Sequence, residues 1–461
     1  MIDPSDGSVF AEIARGRAAE VARAVAAARR AADGGAWSRL APAQRGRLLA
    51  RLAQAIEAHA ETLAALESRD CGKPPRQARA DVAACARYFE FYAGACDKLH
   101  GETIPFAPGY QVYTRYEPHG VTGHIIPWNY PLQIFGRSVG GALAAGNACV
   151  VKPAEDACLS LLELARLIAE VGFPPGAVNI VTGLGREAGA ALAEAEGIDH
   201  LSFTGSAATG TLVAQAAAQR HVPVTLELGG KSPQIVFADA DLEAALPVIV
   251  NAIIQNSGQT CSAGSRLLVE ASAYEPVLER LAERFRALRA GPAALDLDLG
   301  PLIRASQLER VRGFLAGLGH VRGAGAWVVA QGAIVPEAPP GGFYAAPTLV
   351  ADVRPESALA CEEVFGPVLA AMPFRDEAEA VQLANATRYG LVAGVWTENG
   401  ARALRVAQAV RSGQVFINSY GAGGGIELPF GGVKSSGYGR EKGFEALRGF
   451  SVLKTVVIRH G

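Results

Sequence analysis

The sequence predicts an α/β protein in which a parallel sheet is covered by helices. From residue 121 onward, short apolar segments rich in β-branched residues recur: VTGHII (121–126), ACVVK (148–152), VNIVTG (178–183), HLSFTG (200–205) and VTLEL (224–228). Helix-like stretches lie between them. LQIFGRSVGGALAAGN closes on Gly-Asn and LSLLELARLIAEVGFPPG closes on Gly and Pro, both of which stop helices. Strand–helix alternation at this spacing builds a parallel sheet. Loops at the carboxyl ends of such strands are where ligands bind. After Gly230 a second α/β region runs to about residue 445.

The flanking elements follow from their own patterns. Residues 17–98 are rich in Ala, Arg, Leu and Glu with helical periodicity, interrupted at Pro74 and Pro75. Residues 100–121 are β-prone and contain Pro108-Gly109, which predicts two strands about a turn. The tail FSVLKTVVIRH (450–460) alternates like a strand and has no obvious partner in its own neighbourhood. There is no internal repeat and no low-complexity linker, so tightly packed domains are expected.

Composition narrows the function class. A chain of 461 residues predicts two or three domains, and half of it is hydrophobic. A net charge of −2 gives no electrostatic case for nucleic acid or a membrane surface. No run of about 18 apolar residues suggests a spanning helix. The first residues, MIDPSDGSVFAEIARG, lack the basic and apolar blocks of a signal peptide. The seven cysteines are scattered. Only Cys85 with Cys96 and Cys149 with Cys158 lie near each other, and neither spacing is a metal pattern. A reduced, cytoplasmic protein without disulfides or metal is the expectation.

Several residues stand where chemistry could occur. In NSGQTCSAG (256–264), Cys261 has no large apolar neighbour within four positions, unlike a cysteine used as core filler. In FTGSAATG (203–210) a strand ends, Gly205 turns and Ser206 can cap a helix whose N-terminus suits a phosphate. An ordinary β–α turn fits the same residues, and the usual Gly-x-Gly-x-x-Gly fingerprint is matched only loosely, by GLGREAG (183–189). In VVKPAE (150–155), Lys152 and Glu155 suit either a ribose contact or a surface ion pair. Glu227, inside LELGG, is an acid in an apolar run; ionised burial is costly, so its pKa should rise, as a general base near neutral pH requires. Pro127 and Pro131 bracket Trp128, Asn129 and Tyr130 in a stiff loop, where the Asn129 amide could donate to an oxyanion or serve a turn. EEVFGP (362–367) and ELPFGGVKSSGYGRE (427–441) are turn-rich segments with acids.

Taken together, PWNYPL, GNACVVKPAE, GFPPGAVNIVTG, FTGSAATG, LELGGKSP, NSGQTCSAG, EEVFGPV and PFGGVKSSGYGRE resemble the aldehyde dehydrogenase superfamily over nearly the whole chain. At the N-terminus the family's usual leading segment is short or missing. The resemblance implies a Rossmann-type cofactor domain (1–98 and 119–228), an α/β catalytic domain (229–445) and a β oligomerisation arm (99–118 and 446–461). It implies that Cys261 is the nucleophile, Glu227 the general base, and Asn129 with the Cys261 amide the oxyanion hole. Lys152 and Glu155 would hold the adenosine ribose and Ser206 the pyrophosphate. Glu363 would grip the nicotinamide ribose beside Phe365. Ile125, Ile126, Pro127, Trp128, Ala154, Gly185, Gly189, Phe203, Gly205, Thr209, Gly210, Leu228 and Gly229 would complete the cofactor cleft. Glu155 favours NAD over NADP.

The implied reaction is oxidation of an aldehyde to its acid through a thiohemiacetal and a thioester. Glu227 favours release by water, since relatives that acylate coenzyme A generally lack this acid. Arg137, eight residues after Asn129, replaces the Trp of many relatives and matches the Arg of those acting on succinic semialdehyde; their second Arg is Gln255 here. With Gln133 and Phe430 these residues make a candidate substrate wall, suited to a polar or anionic tail. The glycine-rich loop 419–427 would equally admit a bulky or aromatic aldehyde. A cofactor-free cysteine hydrolase would need a histidine partner for Cys261. A catalytically silent binding protein would have lost one of the three central residues. The arm-like strands imply a homodimer or homotetramer.

Overall fold

The protein, described by a computed structural model over residues 1–323, 325–421 and 425–461, begins with four helices at Ala18–Ala32, Pro42–Ala58, Ala60–Cys71 and Pro75–Ala95. The break between the last two falls at the Pro74-Pro75 step, where Gly72 adopts a left-handed conformation and Pro75 opens the next helix. A hairpin follows, of β1 (Thr103–Ile104) and β2 (Tyr110–Pro118). Then come β3 (Val121–Ile126), β4 (Ala148–Pro153), β5 (Val178–Ile180), β6 (His200–Thr204) and β7 (Val224–Glu227), each on a segment marked as a strand by the sequence, with β4 running one residue further to Pro153. Helices Pro131–Ala145, Leu159–Val171 and Ala207–Ala218 lie between them; the first two stop at left-handed glycines, Gly146 and Gly172.

The second region holds β8 (Pro233–Val236), β9 (Arg266–Glu270), β10 (Arg289–Ala290), β11 (Trp327–Gln331), β12 (Ala333–Ile334), β13 (Thr348–Ala351), β14 (Val368–Phe374), β15 (Val392–Trp396) and β16 (Gln414–Ile417). The chain ends with β17 (Gly437–Tyr438) and β18 (Ser451–Arg459). Two large sheets result. One has the order β17-β7-β6-β3-β4-β5 and is parallel except for β17. The other has the order β11-β13-β14-β9-β8-β15-β16 and is parallel except for β11. Strands such as β4 and β8 are buried along their whole length, which is why they read as unbroken apolar runs rather than alternating ones.

The tail strand does have a partner. β18 pairs antiparallel with β2 along its full length, from Ser451 opposite Pro118 to Arg459 opposite Tyr110, and completes a three-stranded arm. Its partner lies far earlier in the sequence, after the four N-terminal helices, so local pattern could not reveal it. Packing also departs from a border at residue 445. Ile426, Ala446, Leu447 and Phe450 belong to the core of the first sheet, and β17 extends that sheet from Glu227 outward.

A buried ion cluster ties the N-terminal helices to the helix Pro131–Ala145. The Lys73 ammonium donates to Glu67 Oε1 at 3.0 Å and to Asp81, and lies 4.1 Å from the centre of the Tyr130 ring. Glu67 Oε2 accepts from the Leu132 amide at 3.3 Å and Ser160 Oγ at 3.2 Å, while Asp81 Oδ1 accepts from Gln133 Nε2 at 2.6 Å. Lys73, Glu67 and Asp81 are all buried, so removing the cation strands two carboxylates. Lys73→Met is expected to cost about 3–5 kcal/mol, the range for breaking a buried pair from one side, measured by denaturant unfolding; a loss below about 1 kcal/mol would contradict this account.

Candidate active site

The Cys261 loop is shaped by backbone rather than by side chains. Asn256, Ser257 and Gly258 follow one another at φ 47°, 55° and 74°. Each strained residue is held from outside: the Asn256 amide donates to Gln77 Oε1 at 2.8 Å and Ser257 Oγ to the Gly300 carbonyl at 2.7 Å. A Cβ on Gly258 would fall 2.2 Å from the Gly366 carbonyl oxygen, and one on Gly230 would fall 2.3 Å from the Cys261 carbonyl oxygen. The glycines therefore admit neighbouring protein backbone. Tyr420 closes the loop by donating to the Ser262 carbonyl at 2.6 Å. Cys261 is left partly exposed, on the wall shared by two cavities. Burial pushes its thiol up to about 12, with the Arg137 guanidinium acting in the opposite direction.

Glu227 ends β7 inside the protein, at 2% exposure, and lines the same cavity as Cys261. Neither carboxyl oxygen has a hydrogen-bond partner among the described residues. Burial raises its pKa well above the carboxylate range, partly offset by Arg137. Asn129 lines both cavities. Its Nδ2 donates one hydrogen bond to the Gln259 carbonyl at 3.0 Å, and its own carbonyl accepts from Asn256 Nδ2 at 2.9 Å. These bonds lock the amide to the nucleophile loop.

The larger of the two cavities is a groove of about 450 Å³. It brings together Pro127, Trp128, Asn129, Gly205, Ser206, Glu227, Gly229, Cys261, Glu363 and Phe365. Trp128 and Phe365 meet edge to face at 5.5 Å. Glu363 accepts from the Gly230 amide at 3.0 Å, and burial raises its pKa to about 7. Ser206 caps the helix Ala207–Ala218, its Oγ accepting from the Thr209 amide at 3.2 Å. A neighbouring cavity of about 800 Å³ takes in Ile125, Gly185, Gly189, Phe203 and Thr209. At its edge the Lys152 ammonium donates to Glu155 Oε2 at 2.7 Å. Burial raises the Glu155 pKa, but Lys152 outweighs it and the net shift is downward. The Gly185 amide donates to the same carboxylate at 3.1 Å.

Ile126, Gly210 and Leu228 do not line these cavities. Ile126 and Leu228 are core residues, and a Cβ on Gly210 would meet Leu228 at 2.6 Å, so all three act by packing. Ala154 lines none of the three site cavities either; its neighbours Lys152 and Glu155 lie beside Gly185 and Gly189, which line the neighbouring cavity.

On the other side of Cys261 lies a cavity of about 50 Å³, lined by Gln133, Arg137, Gln255 and Phe430 among others. Arg137 is already engaged: Nε donates to Glu441 Oε2 at 2.6 Å and Nη2 to Thr204 Oγ1 at 2.8 Å. Glu441 in turn accepts from Ser202 Oγ at 2.6 Å. The expected open entrance at 419–427 includes residues 422–424, which lie outside the described residues.

Sequence reasoning missed the groups that fix the Glu363–Phe365 turn. Gln307 Nε2 donates to the Phe365 carbonyl at 2.7 Å, and Arg310 Nη2 donates to the Glu363 carbonyl at 2.6 Å. It also missed Glu441 and Lys442, although both sit in or next to the quoted glycine-rich segment. Among the described residues no histidine lines either cavity that holds Cys261.

The family model described as "Aldehyde dehydrogenase family" matches residues 1–456. An aldehyde dehydrogenase of Emericella nidulans is 42% identical, with 100% of this chain and 92% of that one covered. The mitochondrial benzaldehyde dehydrogenase of Antirrhinum majus is 41% identical, covering 99% of this chain and 85% of that one. Among solved structures, a Burkholderia cenocepacia chain is 67% identical with a TM-score of 0.98, covering 100% and 96%. PnpE in complex with nicotinamide adenine dinucleotide is 42% identical with a TM-score of 0.95, covering 100% and 93%. The chain belongs to the aldehyde dehydrogenase family.

Proposed function

We propose that this protein oxidises an aldehyde to the carboxylic acid with NAD, through a thioester on Cys261 that is hydrolysed by water activated at Glu227. The observation that carries the proposal is the pairing of a cavity-facing thiol with a buried carboxyl whose oxygens have no hydrogen-bond partner among the described residues, in one groove. Once ionised, a carboxylate so placed can take a proton from water, and the upward shift from burial makes it a stronger base than a solvated carboxylate.

The residues present fit a dinucleotide. A capped helix N-terminus opens into the groove for a phosphate, and the Lys152–Glu155 pair stands at the adjoining cavity for a ribose. The ionised Glu155 carboxylate would repel a 2′-phosphate, which supports NAD over NADP. The chemistry supplied by bound NAD is hydride acceptance, and its cationic ring favours the thiolate. Cys261 loses its proton to solvent, the thiolate adds to the carbonyl carbon, and the Asn129 amide donates to the oxyanion so formed. Once the substrate carbon is oxidised, Cys261 holds the acyl group as a thioester. Glu227 accepts a proton from water as the water oxygen adds to that carbonyl; the C–S bond then breaks, giving the acid and freeing the Cys261 thiolate.

The substrate side supports a small aldehyde with a polar or anionic tail. Self-association through the arm is supported by β18, an edge strand with exposed Val452, Leu453, Val457 and Ile458.

Cys261→Ala is expected to abolish aldehyde oxidation while retaining NAD binding by calorimetry; residual turnover at wild-type rate would refute the assignment. Glu227→Gln is expected to release one equivalent of reduced nicotinamide per site in a rapid-mixing burst, with steady turnover lowered at least about 100-fold; no change in turnover would exclude Glu227 as the base. The raised thiol pKa means that the thiolate fraction rises with pH throughout the neutral range. Alkylation of Cys261 in the ligand-free protein should therefore accelerate about tenfold per pH unit from pH 7 to 9, and a plateau in that window would contradict the burial effect. The double variant Leu453→Lys/Val457→Lys should yield monomers in light scattering, and an unchanged mass would disprove association along β18.

A further inference from the structure

Cys261 and Glu227 must both lose a proton to react, and burial opposes both. Among the described residues neither Glu227 oxygen has a hydrogen-bond partner, so a charge at a distance is left to favour its carboxylate. The titratable and charged groups around the pair come from several elements. The segment after β17 brings Arg440, Glu441 and Lys442, and the helix Pro75–Ala95 brings Tyr88. The facing turn brings Glu363, and the helix Pro131–Ala145 brings Arg137. Arg440 is turned onto the Gly432 and Gly439 carbonyls. Arg137 is the leading cation for the thiol and for the carboxyl alike.

The position of Arg137 is set from three sides. Nε donates to Glu441 Oε2 at 2.6 Å, Nη2 donates to Thr204 Oγ1 at 2.8 Å, and the guanidinium carbon lies 5.2 Å from the centre of the Phe430 ring. Thr204 ends β6 and stands opposite Glu227 in the register of β6 with β7, so the guanidinium is anchored at the strand position beside the carboxyl. The same side chain lines the small cavity with Asn129 and Cys261. One buried guanidinium is thereby fixed near both reacting groups. An arginine suits this place, because it keeps its proton beside a working base where a lysine can exchange one. In a desolvated wall its charge acts more strongly than it would in water.

We propose that Arg137 is a positioning residue for the reaction itself: held by Glu441 and Thr204, it stabilises the Cys261 thiolate and the Glu227 carboxylate whatever tail the aldehyde carries. This rests on the roles of Cys261 as nucleophile and Glu227 as base, and it names the group that makes their anions accessible. Glu441 belongs to the same device, since it orients the guanidinium and tempers its charge.

The test has two readouts. One is alkylation of Cys261 by iodoacetamide in the ligand-free protein, followed by peptide mass spectrometry. The other is the pH profile of steady turnover with propanal, which has no polar tail, at saturating NAD. Arg137→Met should slow alkylation about tenfold at pH 8 and move the acid limb of the turnover profile upward by about one pH unit. Alkylation within about twofold of wild type, a turnover loss equal at every pH, or a change confined to the KM for propanal overturns the proposal. Glu441→Gln keeps the guanidinium and removes its neutralising partner, so it should act in the opposite sense and speed alkylation at least about threefold. Unchanged or slower alkylation in that variant also overturns the proposal, and Glu441→Gln decides alone should Arg137→Met fail to fold. Wild-type protein that oxidises no aldehyde would instead overturn the dehydrogenase role, while the alkylation rates would still judge Arg137 against Cys261.

Discussion

The two sheets meet where the backbone of Gly229 and Gly230 leaves β7. A Cβ at Gly230 would stand 2.3 Å from the Cys261 carbonyl oxygen, and one at Gly229 would stand 2.3 Å from the Glu363 carboxylate. The second contact is with the end of a mobile side chain and could relax. The first is with backbone and could not, short of moving the nucleophile loop. This crossing fixes three things at once. The end of the first sheet carries Glu227, the loop before β9 carries Cys261, and the Gly230 amide holds Glu363 at 3.0 Å. Residues far apart in sequence converge because two backbones touch with no side chain between them.

Burial then sets the electrostatic character of the site. Cys261 and Glu227 are both desolvated, so both favour their protonated forms in the ligand-free protein. The same environment that lowers the free concentration of thiolate makes any introduced charge count for more, because a low dielectric strengthens each Coulombic interaction. Arg137 is the fixed positive charge common to both groups. Its orientation depends on Glu441, and Glu441 depends on Ser202, which in turn accepts from Ser138 Oγ at 3.0 Å; Ser138 meets the buried, neutral His124 ring. A polar chain thus runs from the cavity wall into the first sheet, every member buried, and it holds one guanidinium steady.

What the sequence discloses follows from how local each signal is. The strands β3 to β7 were legible because both of their faces are covered, so hydrophobicity runs unbroken and glycines punctuate the ends. Cys261 was legible by exclusion, since its neighbours are too small to bury it. Glu227 was legible because an acid in LELGG has nothing local to neutralise it. Three features were not legible, for one reason. The pairing of β18 with β2, the engagement of Arg137 by Glu441, and the hold of Gln307 on Phe365 all join segments remote from each other, and none leaves a mark on its own neighbourhood. Lys442 was overlooked because a lysine in a glycine-rich segment looks like a solvated turn residue; only its burial and its φ of 65° set it apart.

The distribution of backbone strain ties these points together. Asn256, Ser257, Phe365 and Lys442 all have positive φ without being glycine, and all four stand in or beside the two cavities around Cys261. Each such residue is disfavoured by about 1–3 kcal/mol, so each must be held by something stronger than local preference. For Asn256 the holder is Gln77, for Ser257 the Gly300 carbonyl, and for Phe365 the Gln307 amide, and all three come from other parts of the chain. The consequence is positional accuracy. A residue strained locally and restrained remotely has no low-energy alternative nearby, so the sulfur and the Trp128–Phe365 edge keep their spacing. The stability that the large buried sheets provide is what permits this concentration of strain around a single thiol.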